Sequence, residues 1–223
     1  MYKFLLSNGC SFLTQRKGVK KHTGILLSDY LGLEHIGLGC SGKGNDRLIL
    51  TTKLFFYEKP ERIKDTFVLI GWTNPARIDY IDNYHKDYKG SKWGETWFSL
   101  NGKEPVWKTY KKTQNYGDVV AKFFRQVLEL QDFFENLNIK YCMYHALEIL
   151  PYNKKIKLQK LKLLKDRVNK KNFYKLDEDS HQMFVNSNRN DFVISKQDLH
   201  PNKLGHFLWF EKIRDFVENN SLL

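Results

Sequence analysis

Phe67-Val68-Leu69-Ile70-Gly71 is continuous, apolar and halted by glycine, and Trp72-Thr73-Asn74 follows it. A run this short and unalternating reads as a strand buried on both faces. Residues 2–6 form a second such run, which stops at Ser7-Asn8-Gly9. Residues 33–38 and 140–145 read as two more short strands, the first closed by the glycine-rich stretch 37–44. Helical patterns lie between them. Leu26, Leu27, Tyr30 and Leu31 keep helical spacing within 23–31, and Asn45 stands as the cap of a helix running to about Tyr57. Residues 118–137 put Val120, Phe123, Val127, Leu130 and Phe134 on one face, and residues 202–217 close the chain as another amphipathic helix. Met183-Phe184-Val185 reads as a last short strand. This alternation specifies an α/β fold, a parallel sheet covered by helices on both faces. Functional groups collect beyond the carboxyl ends of such strands. The polar and glycine-rich segments 7–14, 39–45, 71–77 and 198–200 occupy those places.

At 223 residues the length fits one domain, expected here over 1–223 with an insertion at about 81–117. Hydrophobic residues at 41% and aromatics at 15% exclude a disordered chain. Three scattered cysteines provide neither a disulfide framework nor a CxxC zinc motif, so no metal site is expected. Cys10 and Cys40 read as small buried residues, with a thiol nucleophile as the alternative. No apolar run approaches the ~18–20 residues of a membrane span, and Phe4-Leu5-Leu6 is too short for a signal peptide. A cytoplasmic location is the expectation. The net charge of +12 is concentrated in residues 154–171, where nine basic residues face one acid, Asp166. That segment reads as an amphipathic helix with a solvated basic face. Its alternative is a nucleic-acid footprint, against which stands the lack of interleaved aromatics. In the insertion, Trp93, Trp97 and Trp107 either stack on a glycan substrate or form a miniature core.

Gly9-Cys10-Ser11 places a small hydroxyl on the turn after the first strand. Ser11 is either a helix cap or a nucleophile, and a serine nucleophile needs a base. His200 is the candidate, in Asp198-Leu199-His200-Pro201, where Asp198 is positioned to orient the imidazole; the bland reading of His-Pro is a helix entry. His206, further along the same helix, reads as packing or solvent-facing. Gly42 and Gly44 offer unobstructed backbone N–H groups, and Thr73 and Asn74 offer a hydroxyl and an amide, donors that suit a developing oxyanion. Arg77 either clamps an anionic substrate group or pairs with Asp79, and with Trp72 it is taken as a substrate contact.

The order of these four blocks resembles the SGNH (GDSL-type) hydrolase family. The resemblance implies a three-layer α/β/α sandwich with a flavodoxin-like parallel sheet. It also implies an esterase, lipase or O-acetylesterase activity that needs no cofactor. In its terms Ser11 is the nucleophile, Gly42 an oxyanion donor ahead of Gly44, and His200 the base. Thr73 stands where the family carries asparagine, with Asn74 one residue late, and the spacing from Asp198 to His200 is one residue short of the family's Asp-x-x-His-Pro. The implied substrate is a small-molecule or glycan ester. A non-catalytic carbohydrate-binding or structural module on the same scaffold is the alternative.

Overall fold

A computed structural model describes residues 2–16, 18–81, 97–100, 109, 112–113, 115–147 and 159–223. Four strands, β1 (Phe4–Gly9), β2 (Glu34–Gly37), β3 (Thr66–Trp72) and β6 (Lys140–His145), form one parallel sheet in the order β2-β1-β3-β6. This is the flavodoxin-like order, and its direction reverses between β1 and β3. A separate antiparallel pair joins β4 (Ile78–Ile81) to β5 (Trp97–Leu100). Most of the aromatic-rich stretch, Trp93 and Trp107 included, lies outside the described residues.

Alternation along the strands sends side chains to two cores. Leu5, Phe67, Leu69, Cys142 and Tyr144 pack against α1 (Thr23–Leu31) and α7 (Lys203–Asn219), chiefly through Leu27, Trp209, Phe210 and Ile213. Leu6, Val68, Ile70, Trp72 and Met143 pack on the other side against α2 (Asn45–Glu58) and α3 (Tyr116–Asn136), where Leu48, Phe56, Phe123, Val127 and Phe134 meet them. The protein is therefore a three-layer α/β/α sandwich. Every residue of β3 is buried, which accounts for its unbroken apolar sequence.

The two central strands approach closely at their carboxyl ends. Gly9 pairs with Gly71, and a Cβ on Gly9 would lie 2.6 Å from the Gly71 carbonyl oxygen. Just before it, Asn8 is fully buried; its Nδ2 donates to Leu48 O, Thr51 Oγ1 and Thr52 Oγ1, and its Oδ1 accepts from Gly9 N. These bonds fix the end of β1 against α2 and so aim the turn that carries Ser11.

Three local expectations are corrected. Residues 183–185 are not a strand but the middle of α5 (His181–Ser187), which Ser180 caps by accepting from Met183 N. His181 and Val185 are its buried positions, four apart, a helical spacing that three adjacent apolar residues could not reveal. The basic segment is not helical to 171: α4 covers only Gln159–Asp166. Gln131 takes both the N–H and the carbonyl of Asn169, whose side chain caps a following 3-10 turn, so the helix cannot continue. Residues 154–158 lie outside the described residues. Asn45 does not cap α2 either. Its side chain bridges to the backbone of Thr73, and Asp79 performs the capping, accepting from Gly44 N and Arg47 N. Among the described residues no helix is long and apolar enough to cross a membrane.

Candidate active site

Ser11 opens a single 3-10 turn (Ser11–Leu13) directly beyond β1. Its Oγ caps nothing; it lies 2.9 Å from His200 Nε2, across 189 positions of sequence. His200 Nδ1 in turn stands 2.5 Å from Asp198 Oδ1, which also accepts from the His200 backbone N–H at 3.2 Å.

The segment bearing His200 and Asp198 is held as a narrow hairpin. Val193 bridges Pro201, Ile194 N donates to His200 O, and Ser195 Oγ accepts from Gln197 N and Asp198 N. Asn202 fastens its end, capping α7 by accepting from Gly205 N and donating to Val193 O and to Asp191 O in the short helix α6 (Arg189–Phe192). Asp198 Oδ1 accepts from both the backbone N–H and the ring of His200 two residues on, an Asx turn that folds the side chain back onto the imidazole. The shortened Asp-x-His spacing thus brings the carboxylate to the imidazole without the extra residue.

A residue that sequence reasoning missed completes the array. Arg16 Nη1 donates to Asp198 Oδ2 at 3.3 Å, from a small hairpin in which Arg16 pairs with Val19 around Gly18. Nothing local signals this contact, which spans 182 positions. Burial pulls the His200 pKa below the ordinary histidine value; the Asp198 hydrogen bond opposes that, and the charges of Arg16 and Arg77 reinforce it. Burial alone would raise the Asp198 pKa, but the bonds from His200 and the Arg16 charge leave it lowered. With both values lowered, the pair at neutral pH is a neutral imidazole beside an ionised carboxylate. A base in that state is ready to take a proton.

The remaining predicted residues separate. Gly42 adopts φ +77° in the turn from Cys40 to Lys43, and neither its N–H nor that of Ser11 has a partner among the described residues. The Gly44 N–H is taken by Asp79. Thr73 is buried, its N–H bound to Asn45 and its hydroxyl to Arg77. Asn74 accepts from Ala76 N through Oδ1, which leaves its Nδ2 without a partner among the described residues, and it lines the same cleft of about 480 Å³ as Ser11 and His200. Arg77 also lines that cleft, whereas Trp72 is corrected: it is fully buried against Phe123 and meets no cleft. Trp72 shares the orientation of Val68 and Ile70, toward a face that α2 and α3 cover. His206 is packing, buried with Nδ1 3.4 Å from Thr23 Oγ1, and Cys10 is a buried core residue. Among the described residues no group of three or more His, Cys, Asp and Glu is placed to hold a metal ion.

Comparison with solved structures agrees with this topology. The psychrotrophic esterase EstA from Pseudoalteromonas sp., solved inhibited by monoethylphosphonate, superposes with a TM-score of 0.54 at 12% identity over 97% of each chain. A protein described as lipolytic and of the G-D-S-L family, from Desulfitobacterium hafniense DCB-2, gives 0.52 at 14% identity over 99% of each. The chain has the SGNH hydrolase fold. TesA gives a TM-score of 0.51 at 10% identity over 99% of this chain and all of that one. No family model and no curated protein matches the sequence itself. In the SGNH fold of this chain Ser11 follows β1 and Asn74 follows β3, on either side of the point where strand order reverses. Ligands bind at such switch points in open parallel sheets.

Proposed function

We propose that this protein is a serine hydrolase of acyl esters. The observation that carries the reading is the chain of contacts from Ser11 Oγ through both ring nitrogens of His200 to Asp198. Ser11 Oγ attacks the ester carbonyl while its proton passes to His200 Nε2. The imidazolium holds its other proton toward Asp198, and the carbonyl oxygen becomes an oxyanion facing the N–H groups of Ser11 and Gly42 and the Asn74 amide. Collapse expels the alcohol, which takes the proton from Nε2 and leaves an acyl-serine. Water attacks that ester by the same route, returns the serine and releases the acid. Asn74 takes the amide role ahead of Thr73, which is buried, has its N–H bound to Asn45 Oδ1 and does not line the cleft. The EstA structure, inhibited by monoethylphosphonate, supports the choice of an organophosphorus probe.

A fluorophosphonate reacts only with an activated serine. The expected result is one adduct on the intact protein, mapping to the peptide that contains Ser11 and absent from Ser11→Ala. An unlabelled wild-type protein would overturn the proposal.

The acid limb of the reaction follows from His200. Only the neutral imidazole accepts the serine proton, and its pKa is lowered, so activity persists below pH ~6.5 and falls as pH drops through the His200 value. Arg16→Ala removes a positive charge that holds that value down, so the limb moves to higher pH. A pH profile of kcat/KM for the two proteins checks this; coincident limbs would count against the Arg16 contact.

A further inference from the structure

Among the described residues the cleft carries an unbalanced positive charge. Asp198 lies in its lining, but Asp198 is matched: Arg16 sits on one carboxylate oxygen and the neutral His200 on the other. Arg77 lines the same cleft and has no such match. Its Nη1 donates to Lys43 O at 3.0 Å and to Thr73 Oγ1 at 2.8 Å, both uncharged acceptors. The pairing with Asp79 that the sequence suggests does not absorb it, because the Asp79 carboxylate caps α2. Among the described residues no carboxylate stands within ion-pair distance of Arg77. Arg77 is half-buried and held in place by one guanidinium nitrogen, while Nε and Nη2 have no partner among the described residues. Together these two nitrogens form the edge that takes a carboxylate or phosphate in bidentate fashion. The Arg77 charge also reaches the base, helping to lower the His200 pKa, so an anion bound there lies beside the reacting ester.

We infer that the substrate of this site is an ester bearing a second, anionic group, a carboxylate or a phosphate, which Arg77 grips through Nε and Nη2. The inference rests on the acyl-hydrolase reading above and adds the chemical class of substrate to it. Phe12, Leu147 and Leu199, which also line the cleft, suit the uncharged part of such an ester.

Matched esters test it, with the charge on either side of the scissile bond. For an anion on the alcohol, 4-acetoxybenzoate is compared with 4-acetoxybenzamide; for one on the acyl group, monophenyl adipate is compared with phenyl hexanoate. In at least one pair the wild-type kcat/KM should favour the anion by roughly tenfold or more, the size of one charge-assisted contact, and added salt should narrow the gap. In Arg77→Gln the preference should vanish, and in Arg77→Lys it should be partly retained. A ratio near one in both wild-type pairs, or a preference that survives in Arg77→Gln, overturns the inference while leaving ester hydrolysis standing. Calorimetry with the non-hydrolysable 4-acetamidobenzoate against 4-acetamidobenzamide, and with phenylphosphonate, reads the same site without turnover. Binding of an anion that Arg77→Gln loses supports the inference even where no ester is cleaved. Absence of binding by all three, together with no anionic preference in turnover, counts against it. Should Arg77→Gln fail to fold, the wild-type ratios and their salt dependence decide.

Discussion

Ser11→Ala is expected to lower kcat for a short acyl ester such as p-nitrophenyl acetate by a factor on the order of 10⁵–10⁶, as loss of a nucleophilic serine does in other serine hydrolases. That corresponds to about 7–8 kcal/mol of transition-state stabilisation. The residual rate would be that of a cleft which still binds the ester and polarises its carbonyl but has no covalent route. The fold should be unaffected. Among the described residues the Ser11 hydroxyl touches only His200, and a buried hydroxyl lost from such a pair changes stability by about 1 kcal/mol. Steady-state kinetics and a thermal melt measure both quantities. Equal turnover by the variant would remove Ser11 from the chemistry, whatever the melt shows.

The second large effect is on stability, and it comes from histidines outside the catalytic array. His22, His145, His181 and His206 are all buried. Burial pulls His22 and His206 down to about 3 and His145 down to about 4, and it drives His181 well below the ordinary value. Neighbouring imidazoles add to this, His35 and His206 acting on His22, and His206 acting on His181. In the unfolded chain each would titrate near 6.5. The folded state therefore binds fewer protons than the unfolded state at every pH between those limits. Stability is full above pH ~6.5 and declines as pH falls below it, until the folded-state values are reached. Between pH 7 and pH 5 the loss is roughly 2 kcal/mol per histidine, or roughly 8 kcal/mol for the four. Domains of this size commonly have only about 5–15 kcal/mol in total, so the protein should unfold cooperatively at a mildly acid pH. Urea unfolding at several pH values measures the slope. His181→Phe keeps an aromatic ring stacked on Trp209, at the 4.9 Å the imidazole now occupies, and removes one titrating group. Its slope near pH 5 should be shallower by roughly 1.3 kcal/mol per pH unit. A flat stability profile from pH 7 to pH 5 would show that these imidazoles accept protons while folded.

The acid sensitivity and the catalytic limb act over neighbouring ranges but differ in origin. His200 sits at the cleft mouth, and its protonation stops a reaction without breaking the core. The four buried imidazoles lie in the folded interior, where taking up a proton costs stability. A profile of activity against pH taken with a parallel circular-dichroism trace separates the two.

Local pattern was enough for the scaffold. The strand at 67–71 is apolar over a length that only a doubly covered strand requires, and the faces of α3 and α7 repeat at 3.6 residues, so each element is written within a dozen neighbours. Reading failed where the signal was shorter than the period. Met183-Phe184-Val185 holds less than one helical turn, and the helix there depends on a cap at Ser180 and burial of His181. Trp72 was misassigned for a different reason: a residue beside a loop is drawn into the core or the cleft according to which face a distant helix covers.

The chain's own order of residues determined the sandwich, the strand ends and the short list of hydroxyl, imidazole and carboxylate groups lying near them, because hydrophobic period and turn chemistry are local. Only the folded arrangement decided that Ser11 meets His200, that Arg16 reaches Asp198, that the Asp79 carboxylate caps α2, and that Asn74 rather than Thr73 lines the cleft. Those outcomes depend on pairing among elements up to 189 positions apart, where register and packing, rather than neighbouring sequence, fix distances to within a hydrogen bond.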